Sequence, residues 1–78
     1  MGLSKAEFTV EPFNAGQPGL HVDAAVAAVE ALGVEVEVGP FASSIVGDAP
    51  MVAECVCALI KAATTAGATR ISITVEGV

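Results

Sequence analysis

The chain has 78 residues, 54% of them hydrophobic, and its formal net charge is −6. This length predicts one small domain spanning residues 1–78. Only three residues are Lys or Arg, which argues against nucleic acid as a partner, because neutralising phosphates requires clustered cations.

The apolar residues are distributed without a run that approaches the ~20 residues of a membrane span. The N-terminus also lacks a charged segment followed by a long apolar core, so we expect no signal peptide and no membrane contact. The apolar excess instead predicts a homodimer or tetramer that buries part of the surface. Cys55 and Cys57 lie two positions apart in a helical pattern and face opposite sides, which predicts buried free thiols in a reducing cytoplasm.

The first half of the chain reads as strand, loop and helix. Residues Ala6–Val10 alternate between apolar and polar, which is typical of a half-buried strand, and Met1–Lys5 is expected to be a frayed start. A loop rich in Pro and Gly follows over 12–19. The apolar spacing after it predicts a helix over Leu20–Leu32, ended by Gly33.

The second half repeats the order strand, helix, strand after a further strand. Val34–Val38 and Phe41–Val46 are predicted strands, Asp48 is the expected N-cap of a second helix that ends at Gly67, and Arg70–Glu76 alternates as the last strand. The order predicts a ferredoxin-like βαββαβ sandwich of the α+β class: a four-stranded antiparallel sheet with two helices on one face and strands one and three at its centre.

The register of the third strand has two readings. With Ile45 inward, Phe41 and Ser43 are also inward and Ser44 is outward; the opposite register exposes Ser43 and Ile45. Both serines are therefore candidates for the polar face of the sheet.

The face without helices is expected to carry carboxylates and small hydroxyls. Besides a serine of the third strand, its predicted residues are Glu7, Thr9, Glu11, Glu35, Glu37, Ser72 and Thr74. Such a surface accepts hydrogen bonds and attracts cations. Glu11 lies close to Phe13, and a carboxylate beside an aromatic ring suits a flat cationic heterocycle, whereas Glu35 and Glu37 are interpreted as a solvated strand face.

Catalytic arrangements find little support. His21 is the single histidine, it has no serine or cysteine partner close in sequence, and a solvated or capping role is expected. The glycine spacing matches no phosphate-binding loop, and the loop over 12–19 has no Arg or Lys. The sequence therefore predicts no enzyme, no metal and no cofactor.

Three segments resemble the YkoF-like thiamine-binding proteins: EFTVEPF at Glu7–Phe13, VGPFASSIVGDAPMV at Val38–Val52 and AGATRISITV at Ala66–Val75. The resemblance implies a ferredoxin-like fold, association of domains through their sheets, and binding of thiamine or its hydroxymethylpyrimidine part. Ser43 stands where the family usually has Ser or Thr. Val46 departs from the charged residue that often precedes the glycine.

Together these observations predict a non-catalytic small-molecule binding protein for thiamine or hydroxymethylpyrimidine, with its site at a sheet face or between subunits. Glu11 would supply charge, and Phe13 or Phe41 would supply a stacking surface. The expected hydrogen-bonding residues are Ser43, Ser44 and Thr9. The alternative is an assembly module that uses the sheet face only to oligomerise; an enzyme of thiamine metabolism would need a base and a nucleophile that the sequence does not offer.

Overall fold

The computed structural model describes residues 2–12, 19–39 and 42–77. Its elements are β1 Leu3–Glu11, α1 Leu20–Glu30, β2 Glu37–Val38, β3 Ser43–Asp48, α2 Ala49–Thr65 and β4 Arg70–Gly77. The strands form one sheet in the order β2-β3-β1-β4, and every neighbouring pair is antiparallel. The predicted ferredoxin-like α+β fold, with β1 and β3 central, is confirmed. Phe13 and Phe41 lie outside the described residues.

The core forms where the period-two face of β1 meets the helices. Ala6, Phe8 and Val10 are buried on β1, because alternate residues of a strand share one face. Helix α2 buries a stripe with helical spacing, made of Val52, Cys55, Leu59 and Ala63. Helix α1 adds Ala25 and Val29, and β3 adds Ile45. One side of the sheet is therefore occupied by helices, and ligands or partners can reach the other.

A glycine in the left-handed region follows the end of each helix within three residues. Gly33 has φ +84° and Gly67 has φ +104°, conformations that side chains with a Cβ rarely adopt. The backbone N–H of Gly33 donates to the carbonyl of Glu30, and that of Gly67 to the carbonyl of Thr64. These glycines redirect the chain towards β2 and β4, as their positions in the sequence predicted.

Strand β1 begins at Leu3, so the prediction of a frayed segment up to Lys5 was wrong. Leu3 lies opposite Asp48, and Lys5 lies between Val46 on one side and Glu76 on the other. Because β1 is central, hydrogen bonds to two neighbouring strands hold this start in place. Strand β2 is shorter than predicted, with only Glu37–Val38 paired to β3.

The two cysteines are free, as predicted, but only one is buried. Cys55 lies in the core, whereas Cys57 is exposed on the other side of α2. The prediction of two buried thiols was wrong for Cys57, because residues two apart on a helix face nearly opposite directions. Burial, and to a smaller extent the charge of Glu54, raises the pKa of the Cys55 thiol above its ordinary value of 9.0.

The raised pKa of Cys55 predicts a loss of stability in alkali. Below about pH 7.5 the thiol is protonated in both states, and its contribution to stability does not change with pH. As the pH rises through the ordinary thiol range, the unfolded chain releases the proton while the folded chain keeps it. The free energy of unfolding should therefore fall, by at most ~1.4 kcal/mol per pH unit, until the folded thiol titrates. Urea unfolding of Cys55→Ala and Cys57→Ala across this range tests it: only Cys55→Ala should flatten the slope, and equal slopes would contradict the assignment.

Candidate functional site

The side of the sheet opposite the helices is here called the open face. Ser43 and Ile45 are buried towards the helices, so Ser44 and Val46 point to the open face, and the register left open by the sequence is the one with Ile45 inward. Ser44 lies directly opposite Glu37 on β2 and Glu7 on β1. One hydroxyl is thus flanked by a carboxylate on each neighbouring strand.

A shallow depression of about 210 Å³ opens beside this row of residues. It is lined by Glu35, Glu37, Ser44, Ile45 and Val46. The polar part of this lining consists of two carboxylates and one hydroxyl. The apolar part includes Val46, whose side chain is 51% exposed. The arrangement can accept hydrogen bonds from an amino group, donate one to a ring nitrogen and attract a positive charge.

The two cations of the sheet are already engaged by carboxylates. Lys5 Nζ lies 3.8 Å from Glu7 Oε1, and Arg70 Nε lies 3.8 Å from Glu11 Oε2. Both pairs are solvent-exposed, so each contributes little to stability. They nevertheless leave Glu35 and Glu37 as the carboxylates that line the depression, while Glu11 faces Arg70 at the far end of the sheet.

Of the residues predicted as binding, the structure brings Thr9, Glu11 and Ser44 to the open face but not into one cluster. Thr9 lies opposite Ser72 and Glu11 opposite Arg70, roughly 7 and 13 Å along the strand from Glu7. Ser43 is only 7% exposed and lies opposite Phe8, on the helix side. A ligand in the depression would contact Ser44 and would approach Ser43 only through the sheet.

Backbone and histidine contacts fix the end of β1 where Glu11 lies. The carbonyl of Glu11 accepts hydrogen bonds from the backbone N–H of Thr69 at 2.8 Å and from its hydroxyl at 3.2 Å. His21, at the start of α1, donates from Nε2–H to the carbonyl of Pro12. The histidine therefore links α1 to the segment after β1, which is a structural role.

The sequence interpretation missed Glu35, Glu37 and Val46 as neighbours of Ser44. The alternation predicts a solvated strand face for the two glutamates, and Val46 stands out only as a departure from a family pattern. Their proximity follows from the pairing of Glu37 with Ser44, which brings two separate stretches of the chain together. The signal in the sequence is the alternation VEVEV at 34–38, in which Glu37 precedes Ser44 of the next strand by seven residues.

Two features of the described residues bear on what the site could hold. No group of three His, Cys, Asp or Glu side chains within 2–12, 19–39 and 42–77 is arranged to hold a metal ion. Over the same ranges, neither helix has the length and apolarity needed to cross a lipid bilayer.

Several solved structures share the fold. A Bacillus cereus protein of the DUF77 class is 23% identical, with a TM-score of 0.72 over 99% of this chain and 75% of its own. A Thermotoga maritima protein, named as a candidate for thiamine biosynthesis or salvage, is 19% identical, with a TM-score of 0.68 over 95% and 80%. A Streptococcus pneumoniae protein is 20% identical, with a TM-score of 0.73 over 100% and 86%.

These identities establish the common fold alone, and no curated protein shows a significant match to the sequence. The comparison with family models identifies the family. The model described as "Thiamine-binding protein" matches residues 6–76, which include most of β1 and β4, all of β2 and β3, and the depression beside Ser44. The chain therefore belongs to the thiamine-binding protein family.

Proposed function

We propose that this protein binds thiamine or its hydroxymethylpyrimidine part, without chemical turnover, in the depression beside Ser44. The observation that carries the proposal is the joint lining of that depression by Ser44, Glu35 and Glu37 in a chain of the thiamine-binding protein family. The aminopyrimidine offers an amino group to a carboxylate and a ring nitrogen to the hydroxyl. The thiazolium carries a positive charge that the carboxylates attract.

The size of the depression favours a site completed by a second copy of the chain. Its ~210 Å³ is below the ~300–1,000 Å³ of most small-molecule pockets, which enclose the greater part of their ligand. Leu3 and Val46 are 52% and 51% exposed, and both belong to the open face. A second open face packed on this one would cover these apolar side chains and enclose the ligand, so a homodimer or tetramer stays part of the proposal.

The other residues predicted from the sequence remain candidates for ligand contact, but each would contact the ligand at a different position on the sheet. Thr9 and Glu11 would contact a ligand that extends along β1 from the depression, with Arg70 competing for the carboxylate of Glu11. Ser43 would contact a ligand only from the helix side. Stacking by Phe13 or Phe41 stays a prediction, as does a cytoplasmic location.

Ser44→Ala and Ser43→Ala form the matched pair of variants that tests the position of the site. Isothermal titration with thiamine, and separately with hydroxymethylpyrimidine, should give micromolar or tighter binding to the unmodified protein at low salt. Loss of one neutral hydrogen bond is worth ~0.5–1.5 kcal/mol, so Ser44→Ala should weaken binding about 2- to 10-fold. Ser43→Ala should leave the affinity unchanged.

The opposite ranking of the two variants would move the ligand to the helix side of the sheet. Absence of binding by a folded oligomer would instead favour the assembly module, a function for which the exposed Leu3 and Val46 of the open face are the specific observation. Light scattering on the same samples reports the oligomer mass. Release of any altered thiamine product during the titration would contradict binding without turnover.

A further inference from the structure

Lys5 lies beside the depression next to Ser44. It is directly opposite Val46, and Val46 lines the depression. Because Ala6 is buried towards the helices and neighbouring residues of a strand face opposite sides, Lys5 belongs to the open face. Its Cα is roughly 8 Å from that of Ser44, one strand across and two residues along. A charge at this distance acts on any ligand that the depression holds.

The ion pair of Lys5 leaves its ammonium group available to a ligand. Lys5 Nζ lies 3.8 Å from Glu7 Oε1, which is longer than the 2.7–3.2 Å of an N–H···O hydrogen bond. The side chain of Lys5 is 42% exposed, and its flexible four-carbon stem lets the charged end move. The contact with Glu7 therefore neither uses the three N–H donors nor fixes their direction.

The surroundings of Lys5 are strongly acidic. Four carboxylates lie around it and the depression, and with one ammonium they leave an excess of three negative charges. Two of them line the depression, one lies opposite Ser44 and one lies opposite Lys5: Glu35, Glu37, Glu7 and Glu76. Among the residues that the structure describes, the other Lys and Arg side chains lie elsewhere, Arg70 beside Glu11 and Lys61 on α2. Lys5 is thus the positive charge within reach of the site.

This single positive charge has opposite effects on different forms of a ligand. A thiazolium ring is attracted by the carboxylates and repelled by Lys5. An uncharged hydroxymethylpyrimidine responds weakly to either. A phosphate ester of the same alcohol is repelled by the carboxylates, and Lys5 offers it attraction and a charge-assisted hydrogen bond.

We propose that Lys5 is a specificity-determining residue of the site beside Ser44, which ranks ligands by their charge. Its ammonium lowers the affinity for cationic thiamine and raises the affinity for a phosphorylated ligand, so it narrows the preference that the carboxylates create. This role rests on the proposed function, because it requires the ligand to occupy the depression. If Lys5 only supports β1 through Glu7, its replacement would instead shift all ligands alike or none.

Lys5→Gln and Lys5→Glu test the role through a graded change of charge. Isothermal titration at about 0.1 M salt, where the Debye length is ~10 Å, should show thiamine binding about 2- to 4-fold tighter in Lys5→Gln. Lys5→Glu changes the charge by twice as much, so the factor should be squared, to about 4- to 16-fold. Hydroxymethylpyrimidine should change by less than about 1.5-fold in Lys5→Gln, the variant that also serves if Lys5→Glu fails to fold.

The phosphate ester of hydroxymethylpyrimidine supplies the anionic arm of the experiment. Competition against bound thiamine should show the ester binding at least about 2-fold more weakly in Lys5→Gln than in the unmodified protein, and more weakly again in Lys5→Glu. Opposite shifts for the cation and the anion are the signature of a charge effect, since a structural disturbance of the strand weakens both.

Arg70→Gln is the matched control for Lys5→Gln. Arg70 also lies on the open face, and its Nε is likewise 3.8 Å from a carboxylate oxygen, that of Glu11. Glu11 lies roughly 13 Å along β1 from Glu7, the residue opposite Ser44, so Arg70 is more than a Debye length from the site. Its replacement removes the same charge and should change thiamine affinity by less than about 1.5-fold.

The failure of this role and the failure of the proposed function give different results. Unchanged thiamine affinity in both Lys5 variants, shifts of the same sign for thiamine and the phosphate ester, or an equal response to Arg70→Gln would overturn the role of Lys5. The unmodified protein would still bind thiamine in each of these cases, and the proposed function would stand. No binding of thiamine or hydroxymethylpyrimidine by the folded, unmodified protein would refute both proposals together.

Discussion

Replacing Phe8 with alanine is expected to remove about 3–5 kcal/mol from the free energy of unfolding, the usual cost of truncating a buried phenylalanine. Phe8 is 2% exposed and lies at the middle of the central strand, between Ser43 and Ile73. A small domain of this size has only ~4–12 kcal/mol of stability in total. The substitution should therefore remove at least about a quarter of that stability, and it should unfold the domain if the total lies at the lower end of the range.

Urea denaturation followed by circular dichroism measures the effect, and Thr9→Ala is the matched control. Thr9 is the next residue on the same strand but faces the open side, so its replacement should cost less than ~1 kcal/mol. If Phe8→Ala does not fold, Phe8→Leu should lower the denaturation midpoint while keeping the transition cooperative. Equal midpoints for the variants at positions 8 and 9 would contradict the assignment of the core face.

The fold could be predicted because its signals are local. Alternation over Ala6–Val10 identifies the inward face of β1, and the glycines at 33 and 67 mark the helix ends, without knowledge of any partner strand. The prediction of a frayed start was wrong because the conformation of these residues is not determined locally. Residues 3–5 have no strong pattern of their own, and their strand conformation comes from pairing with β3 and β4.

The candidate site was harder to predict because it depends on contacts between distant residues. Whether Ser43 or Ser44 faces outward depends on a single-residue register, and the sequence near them permits both choices. The proximity of Glu37 to Ser44 arises from strand pairing, and so does that of Arg70 to Glu11. Alternation along a strand shows which face of the sheet each residue occupies, but it does not show which residue lies beside it on the next strand. Candidate residues could therefore be named from the sequence, but their positions relative to one another could not.

Strand pairing places Glu37 directly opposite Ser44. Reversing the charge of Glu37 is therefore the most direct test of whether the proposed site holds a cation. Glu37→Lys reverses a charge that lines the depression beside Ser44. An exposed ion pair contributes ~0.2–1 kcal/mol, and reversal replaces attraction with repulsion of similar size. Thiamine binding should therefore weaken about 2- to 30-fold. Hydroxymethylpyrimidine lacks the thiazolium charge, and Glu35 remains as a carboxylate acceptor for its amino group, so its affinity should change by less than about threefold.

Glu30→Lys is the matched control for Glu37→Lys. Glu30 is exposed at the end of α1, on the helix layer, and its reversal changes the net charge of the chain by the same two units. If the depression holds the thiazolium, the control should leave thiamine affinity nearly unchanged, and the difference between the two variants should shrink at high salt as the charges are screened. Equal losses in both variants would mean that thiamine responds to the overall acidity of the protein, and the depression beside Ser44 would no longer be its site.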